Sequence, residues 1–328
     1  MGALFVMSAP GTASGAFIAW LGGVSAADAP PGALGGKAGS LDRLARLGFE
    51  VPPAFCLTTV ALDAHLDAIG DQESLRNASQ RLPDEEARAS VVRMVEASPV
   101  PAAVSDALAE AVRRLCESAP AGPGSESAFA VRSSGVGEDG AVDSFAGLHD
   151  TELGVAAREI EGAVRRCWAS SWSRPAIGYR VRRGLSLDRF AMAVVVQLLV
   201  PADAAAVVFT RHPVTNRDDQ LLVNAIRGLG EPMVSGSATP DTIVVDKANR
   251  QVVGFTPGDV GERLVARDGG VERVVGGSDG PALSDTVLSD LIDLSLAVER
   301  AFGAPVDVEA ALAADRWYLL QARPITTR

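Results

Sequence analysis

Near the C-terminus, Glu309, Gln321 and Arg323 stand at spacings that could gather a carboxylate, an amide and a guanidinium in one place. Residues 306–312 and 317–324 are short runs rich in Val, Leu and aromatics on either side of a polar break, the pattern of a β-hairpin that Pro324 ends because it cannot donate to a ladder. Alternate side chains of a strand share a face, so Asp307, Glu309 and Ala311 lie together, as do Leu319, Gln321 and Arg323 on the partner. A three-residue loop, Ala314 to Arg316, sets Glu309 directly opposite Gln321, whereas a two-residue loop sets it opposite Leu320 and mismatches the faces. The three-residue register is the expectation. Glu309 and Gln321 would then offer oxygens to a hard cation such as Mg²⁺, which takes one or two protein ligands besides substrate phosphates, and Arg323 would face those phosphates. The competing reading is a solvated polar face on an edge hairpin.

Other candidates lie upstream. Gly35-Gly36-Lys37 sits where a loop runs into a helix striped by Leu41, Leu44 and Ala45, placing backbone N–H groups and one ammonium near a helix N-terminus that suits an anion. It is no Walker A loop, since the G-x-x-x-x-G-K-[ST] spacing is missing. Residues 128–131 read as a buried strand ending in Arg132-Ser133-Ser134, which could clamp phosphates together with the Gly-rich stretch that follows, and Gly147 and Thr151 come soon after. Gln197 interrupts the apolar run 191–200, a strand buried on both faces, where an amide needs a partner and could read an adenine.

These residues need elements to hold them. The spacing predicts a short strand over 51–57, helices between about 60 and 118 and over 158–172 and 175–183, strands near 204–210, 221–225, 242–246 and 251–255, and a long helix over 284–302. Gly228-Leu229-Gly230-Glu231 reads as a tight turn. Gly135-Val136-Gly137-Glu138-Asp139-Gly140-Ala141-Val142 matches both G-x-G-x-x-G and the protein-kinase glycine loop, but neither context follows. No helix begins inside the motif, and no V-A-I-K, H-R-D or D-F-G sequence exists.

With 328 residues, 47% hydrophobic and 22% charged, the chain is an ordinary globular protein with room for two or three lobes. A net charge of −11 argues against nucleic-acid or membrane-surface binding, which needs clustered Lys and Arg. Cys56, Cys116 and Cys167 are scattered, as are His65, His149 and His212, so neither a disulfide framework nor a zinc site is expected. The apolar patches 3–7 and 16–24 lack a basic flank and the length of a membrane span, which points to the cytoplasm.

Taken in order, Gly35-Gly-Lys-Ala-Gly-Ser-Leu41, Gly48 with Val51-Pro52, Val131-Arg-Ser-Ser134, Glu138-Asp139, Ser144-Phe-Ala-Gly147, Asp150-Thr151, Phe209-Thr210, Gly228-Leu-Gly-Glu231 and Gln321-Ala-Arg-Pro-Ile-Thr326 resemble the nucleotide-binding domain of the phosphoenolpyruvate synthase and pyruvate phosphate dikinase family, which includes rifampicin phosphotransferases. The resemblance covers nearly all of residues 17–326. It implies an α+β, ATP-grasp fold with the nucleotide between two lobes: a flexible extension over 1–16, an N-terminal lobe over 17–188 and a C-terminal lobe over 189–328. It further implies that ATP and Mg²⁺ bind, with Lys37 and Arg132 as the phosphate-binding pair, Gly147 and Thr151 lining the pocket, Gln197 beside the adenine, Glu309 and Gln321 as Mg²⁺ ligands and Arg323 as a second phosphate clamp.

The sequence departs from the family at Ala310 and Arg227, where Trp is usual, and at His212, where an acid or amide usually precedes Pro213. No histidine stands in the Thr-Ser-His-like context of the family's phosphate carrier. The implied function is therefore the ATP-binding component of a dikinase-type phosphotransferase. It would pass phosphate to a histidine on a separate swivelling domain, which serves an acceptor domain, with AMP as product. The alternatives are a nucleotide-binding regulatory subunit and a kinase acting directly on a small molecule.

Overall fold

Runs of Val, Ile and small apolar residues alternate along the chain with amphipathic stretches, and the outcome is two larger antiparallel sheets, each packed on one face by helices. The computed structural model describes residues 16–82, 84–118, 127–136, 151–182, 184, 187, 190–259, 261–267, 269–276 and 280–325. They form two units, one drawn from the described residues of 16–42, 53–136 and 151–198, the other from those of 43–52 and 199–325.

In the first unit the chain runs β1 (Ile18–Trp20), α1 (Val24–Ala27), α2 (Gly35–Arg46, its end belonging to the second unit), β2 (Ala54–Leu57), α3 (Thr59–Ala68), α4 (Gln72–Gln80), α5 (Glu85–Ala97), α6 (Ala102–Glu117), β3 (Ala128–Gly135), β4 (Thr151–Ala156), α7 (Ile160–Ala169), α8 (Arg174–Arg182) and β5 (Met192–Leu198). The sheet order is β1-β2-β5-β3-β4. Phe55, Leu57, Phe129, Val131, Val194 and Val196 pack into the helical core. The intervening positions, among them Cys56, Ala130, Arg132, Ser134 and Gln197, therefore face the other way. β5 is buried along its whole length, as its apolar run predicts. The helix expected over 158–172 is α7 with a 3₁₀ turn at each end.

The second unit continues with β6 (Ala204–Phe209), β7 (Gln220–Arg227), α9 (Glu231–Val234), β8 (Asp241–Asp246), β9 (Val252–Thr256), β10 (Glu262–Arg267), β11 (Gly270–Val275), α10 (Asp285–Phe302), β12 (Val306–Ala313) and β13 (Arg316–Pro324). Six strands pair in the order β13-β12-β6-β7-β8-β9, while β10 and β11 form a separate hairpin. Leu288, Leu291, Ile292 and Val298 of α10 lie in one core with Val208, Val223, Val245 and Val308 of the sheet. Each such burial contributes about 1.5–3 kcal/mol. Ser284 caps α10 by accepting from the Val287 N–H at 3.4 Å, and Gly303 at φ 71° ends it by donating to the Glu299 carbonyl at 2.9 Å.

At two glycines a positive φ coincides with close backbone approach. Gly228, at φ +77°, would place a Cβ 2.3 Å from the Leu264 carbonyl oxygen, and Leu229 N–H donates to that same oxygen at 2.8 Å. The Gly-Leu-Gly-Glu run is thus the seam along which β10 is laid. The second is Gly35, at φ +68°, where a Cβ would fall 2.0 Å from the Ser134 carbonyl oxygen. Ser134 Oγ accepts from the Ala38 N–H at 3.0 Å and donates to the Leu34 carbonyl at 2.7 Å, fastening the start of α2 to the end of β3.

His65 of α3 is buried and stacks on Trp168 with ring centroids 4.9 Å apart. Its Nε2 lies 2.9 Å from the Val95 carbonyl, which can only accept, so the proton of the neutral ring sits on Nε2. Nδ1 is buried with no partner among the described residues. Burial pushes the pKa below its ordinary 6.5, Arg165 adds to the push, and the Val95 carbonyl and Glu161 oppose it.

Two outcomes are expected. Gly35→Ala should cost about 2–3 kcal/mol or more of stability in denaturant melts, because a strained φ and a backbone overlap act together. For His65, the unfolded chain takes up its proton at a higher pH than the folded one, so stability is complete above about pH 6.5 and falls as pH drops below it. Melting temperatures of wild type and His65→Phe from pH 8 to 5.5 should show a shallower slope in the variant. Equal slopes would remove His65 as the cause.

Candidate functional site

The residues singled out in the first unit share one face of its sheet. Arg132 of β3 pairs with Thr151 of β4 on one side and with Val195 of β5 on the other, and Gln197 lies two positions further along β5, opposite Ala130. Arg132 and Gln197 are buried despite their polarity. Ser134, the next residue of β3 on this face, holds the start of α2 and with it Lys37. A guanidinium and an ammonium-bearing helix start are thus set toward the end of β3, where a phosphate could accept from several donors, while the Gln197 amide lies further back on the same face, opposite Ala130. Gly147 and His149 lie outside the described residues, as does most of the Gly-rich stretch from 137.

The hairpin of the second unit pairs Glu309 with Gln321, as the sequence predicts, but by a different route. The loop has two residues, Ala314 and Asp315, both left-handed at φ 47° and 59°. That turn alone would set Glu309 opposite Leu320. A bulge at Glu309/Ala310 absorbs the extra residue: Ala310 pairs with Leu319, and Glu309 with Gln321. The reason lies in the core. A three-residue loop without a bulge would send Tyr318 and Leu320 inward, whereas the observed arrangement buries Trp317 and Leu319 and lets Trp317 Nε1 donate to the Val287 carbonyl at 3.2 Å. Burial of two large side chains, at about 1.5–3 kcal/mol each, outweighs two strained turn residues at roughly 1–2 kcal/mol each only because the alternative would bury a phenol.

One pair further, Arg323 stands opposite Asp307 and holds its Oδ2 through Nε at 2.8 Å and Nη2 at 2.7 Å. The sequence places Asp307 on this face, yet only the structure shows its part in aiming the guanidinium. Burial pushes the Asp307 carboxyl above its usual range; Arg323 opposes this and the neighbouring Glu309 adds to it. Asp307 Oδ1 is buried with no hydrogen-bond partner among the described residues. The Asp307 and Glu309 carboxylates and the Gln321 amide are hard donors that fit a Mg²⁺ ion completed by water and phosphate oxygens. Among the described residues, no group of three His, Cys, Asp or Glu side chains could hold a metal on its own.

The three unusual positions find ordinary uses. Ala310 is buried opposite Leu319. Arg227 donates to the Gly280 and Pro281 carbonyls at 2.8 and 2.7 Å. His212 Nδ1 accepts from the Val214 and Thr215 N–H groups at 3.2 and 3.3 Å, doing what an Asp or Asn side chain does in such a turn.

Residues 32–328 match the family described as pyruvate phosphate dikinase, AMP/ATP-binding domain. The chain is 35% identical over 331 residues to a probable phosphoenolpyruvate synthase of Methanocaldococcus jannaschii, covering 95% of this chain and 27% of that protein. It is 36% identical over 315 residues to a rifampicin phosphotransferase of a Streptomyces species, covering 90% and 34%. The prodigiosin synthesizing transferase PigC of Serratia marcescens is 35% identical, with 91% and 32% covered. The chain therefore spans about a quarter to a third of the length of these relatives. A D-alanine-D-alanine ligase of Helicobacter pylori aligns over 86% of this chain and 51% of its own, at 9% identity and a TM-score of 0.32. The chain belongs to the pyruvate phosphate dikinase AMP/ATP-binding domain family, a member of the ATP-grasp class of α+β folds.

Proposed function

We propose that this chain binds Mg·ATP and serves a dikinase-type transfer in which ATP ends as AMP: of the two phosphoryl groups lost, one stays on a histidine of a separate domain or protein and the other passes to water as inorganic phosphate. The observation that carries the reading is the cross-strand pair of Glu309 and Gln321 with the Asp307-held Arg323 one pair beyond it. In this reading Glu309 and Gln321 hold Mg²⁺, which offsets the negative charge of the phosphates when bound. Arg323 meets the phosphates already oriented, so little side-chain entropy is lost on binding. Lys37 and Arg132 supply the other positive groups, Thr151 and Gly147 line the pocket, and Gln197 recognises the adenine. Catalysis is then mostly positioning and charge stabilisation at a phosphoryl group.

Two of the three histidines are committed elsewhere, His65 to the helical core and His212 to its turn, which supports a carrier outside this chain. Relatives named phosphoenolpyruvate synthase and rifampicin phosphotransferase are several times longer and leave room for carrier and acceptor domains. A cytoplasmic setting, where ATP is plentiful, follows from the same reading, and among the described residues no helix is long and apolar enough to cross a membrane.

Incubating the chain with Mg·ATP, alone and with a candidate histidine domain from a relative, tests the proposal. Carrier-dependent AMP formation is expected, and Lys37→Ala and Glu309→Ala should each reduce it at least about a hundredfold, as loss of a transition-state charge contact does. Tight binding without AMP or ADP under any condition would leave a regulatory role instead. ADP and a phosphorylated small molecule formed without a carrier would point to direct transfer.

A further inference from the structure

On the face of the six-stranded sheet turned away from α10, the row that begins with Gln321 and Glu309 continues through Val207 of β6 and Asn224 of β7 to Thr242 of β8 and Thr256 of β9. Asn224 stands between Leu222 and Ile226 on this face, an amide where an apolar residue would serve the sheet as well. Thr242 Oγ1 donates to Asn224 Oδ1 at 3.1 Å. That bond fixes the amide plane and leaves both Nδ2 hydrogens without a partner among the described residues. Asn224 is only half-buried, so its amide nitrogen can be reached from this side of the sheet.

Adjacent strands lie about 4.8 Å apart, which puts Asn224 roughly 10 Å from Glu309 with Val207 alone between them. This is the order of separation between the metal-bound phosphates of a nucleotide and the hydroxyls of its ribose. The row has no cation beyond Glu309: Val207, Asn224, Thr242 and Thr256 are all neutral. Phosphate oxygens favour guanidinium or ammonium donors, whereas a neutral amide suits a neutral hydroxyl.

We propose that Asn224, oriented by Thr242, donates a hydrogen bond to a ribose hydroxyl of the bound nucleotide and thereby favours ribonucleotides over their deoxy counterparts. The inference rests on the nucleotide reading of Glu309 and Gln321. Asn224 acts here as a binding residue, and Thr242 as the residue that positions it.

Calorimetric titration of the full chain with Mg·ATP, Mg·2′-deoxy-ATP and Mg·3′-deoxy-ATP separates the possibilities. The unaltered chain should bind ATP about two- to twelvefold more tightly than one of the deoxy analogues, the range one neutral hydrogen bond supplies. Asn224→Ala and the similarly sized Asn224→Leu should lose that preference while binding the deoxy analogue as before, and Thr242→Val should lose part of it. Equal weakening for all three nucleotides, or a preference kept in both Asn224 variants, would overturn the assignment and leave Asn224 a structural residue. No ribose preference in the unaltered chain would overturn it too. If the unaltered chain binds none of the three, the nucleotide reading falls, and this inference with it.

Discussion

A β-strand offers its side chains to two faces in strict alternation, and in both larger sheets helices close one of those faces. Everything that can meet a ligand is confined to the positions in between. Val131 and Val196 seal the first sheet, so Arg132 and Gln197 are left on its other face; Val308 and Ala322 seal the second, leaving Glu309, Gln321 and Arg323. A slip of one residue in any of these strands would forfeit several burials of about 1.5–3 kcal/mol each. The apolar residues therefore set the geometry of the polar ones, although they take no part in any chemistry.

The polar contacts at the two sites contribute more to placement than to stability. The Asp307–Arg323 pair takes two charges partly out of water, and the cost of doing so cancels much of the attraction between them. What the pair secures is direction: the guanidinium is held from two of its nitrogens. Ser134 works in the same way. Its hydroxyl both donates and accepts across about a hundred residues of sequence, and Lys37 takes its place from that fastening.

Much of this was legible in the residues. Period-2 and helical stripes located the strands and helices, and the continuous apolar run around Gln197 correctly marked a strand buried on both faces. Charge type and order marked Lys37, Arg132, Glu309, Gln321 and Arg323 as a set worth testing. What remained hidden depends on distant contacts. Nothing near Gly35 announces that Ser134 will press against it, nor does Asn224 reveal its partner Thr242 on the next strand. The hairpin of β10 and β11 was missed although Leu264 and Val265, then Val274 and Val275, flank an Asp268-Gly269 pair, a turn signal lost among many charges. The loop of the terminal hairpin was misjudged because parity alone favoured three residues, while the choice lay with Trp317 and Leu319 and the core they fill.

That bulge has a consequence for how the hairpin tolerates change. It divides the ladder into a tip, where pairing follows the turn, and a root, where Glu309, Gln321, Asp307 and Arg323 pair as if no extra residue existed. A two-residue turn with a bulge and a three-residue turn without one give the root the same partners. Turn length can therefore change in step with the bulge wherever the tip still fills the core as Trp317 and Leu319 do, while the paired side chains at the root keep their neighbours. The defect uncouples the length of the turn from the pairing at the root.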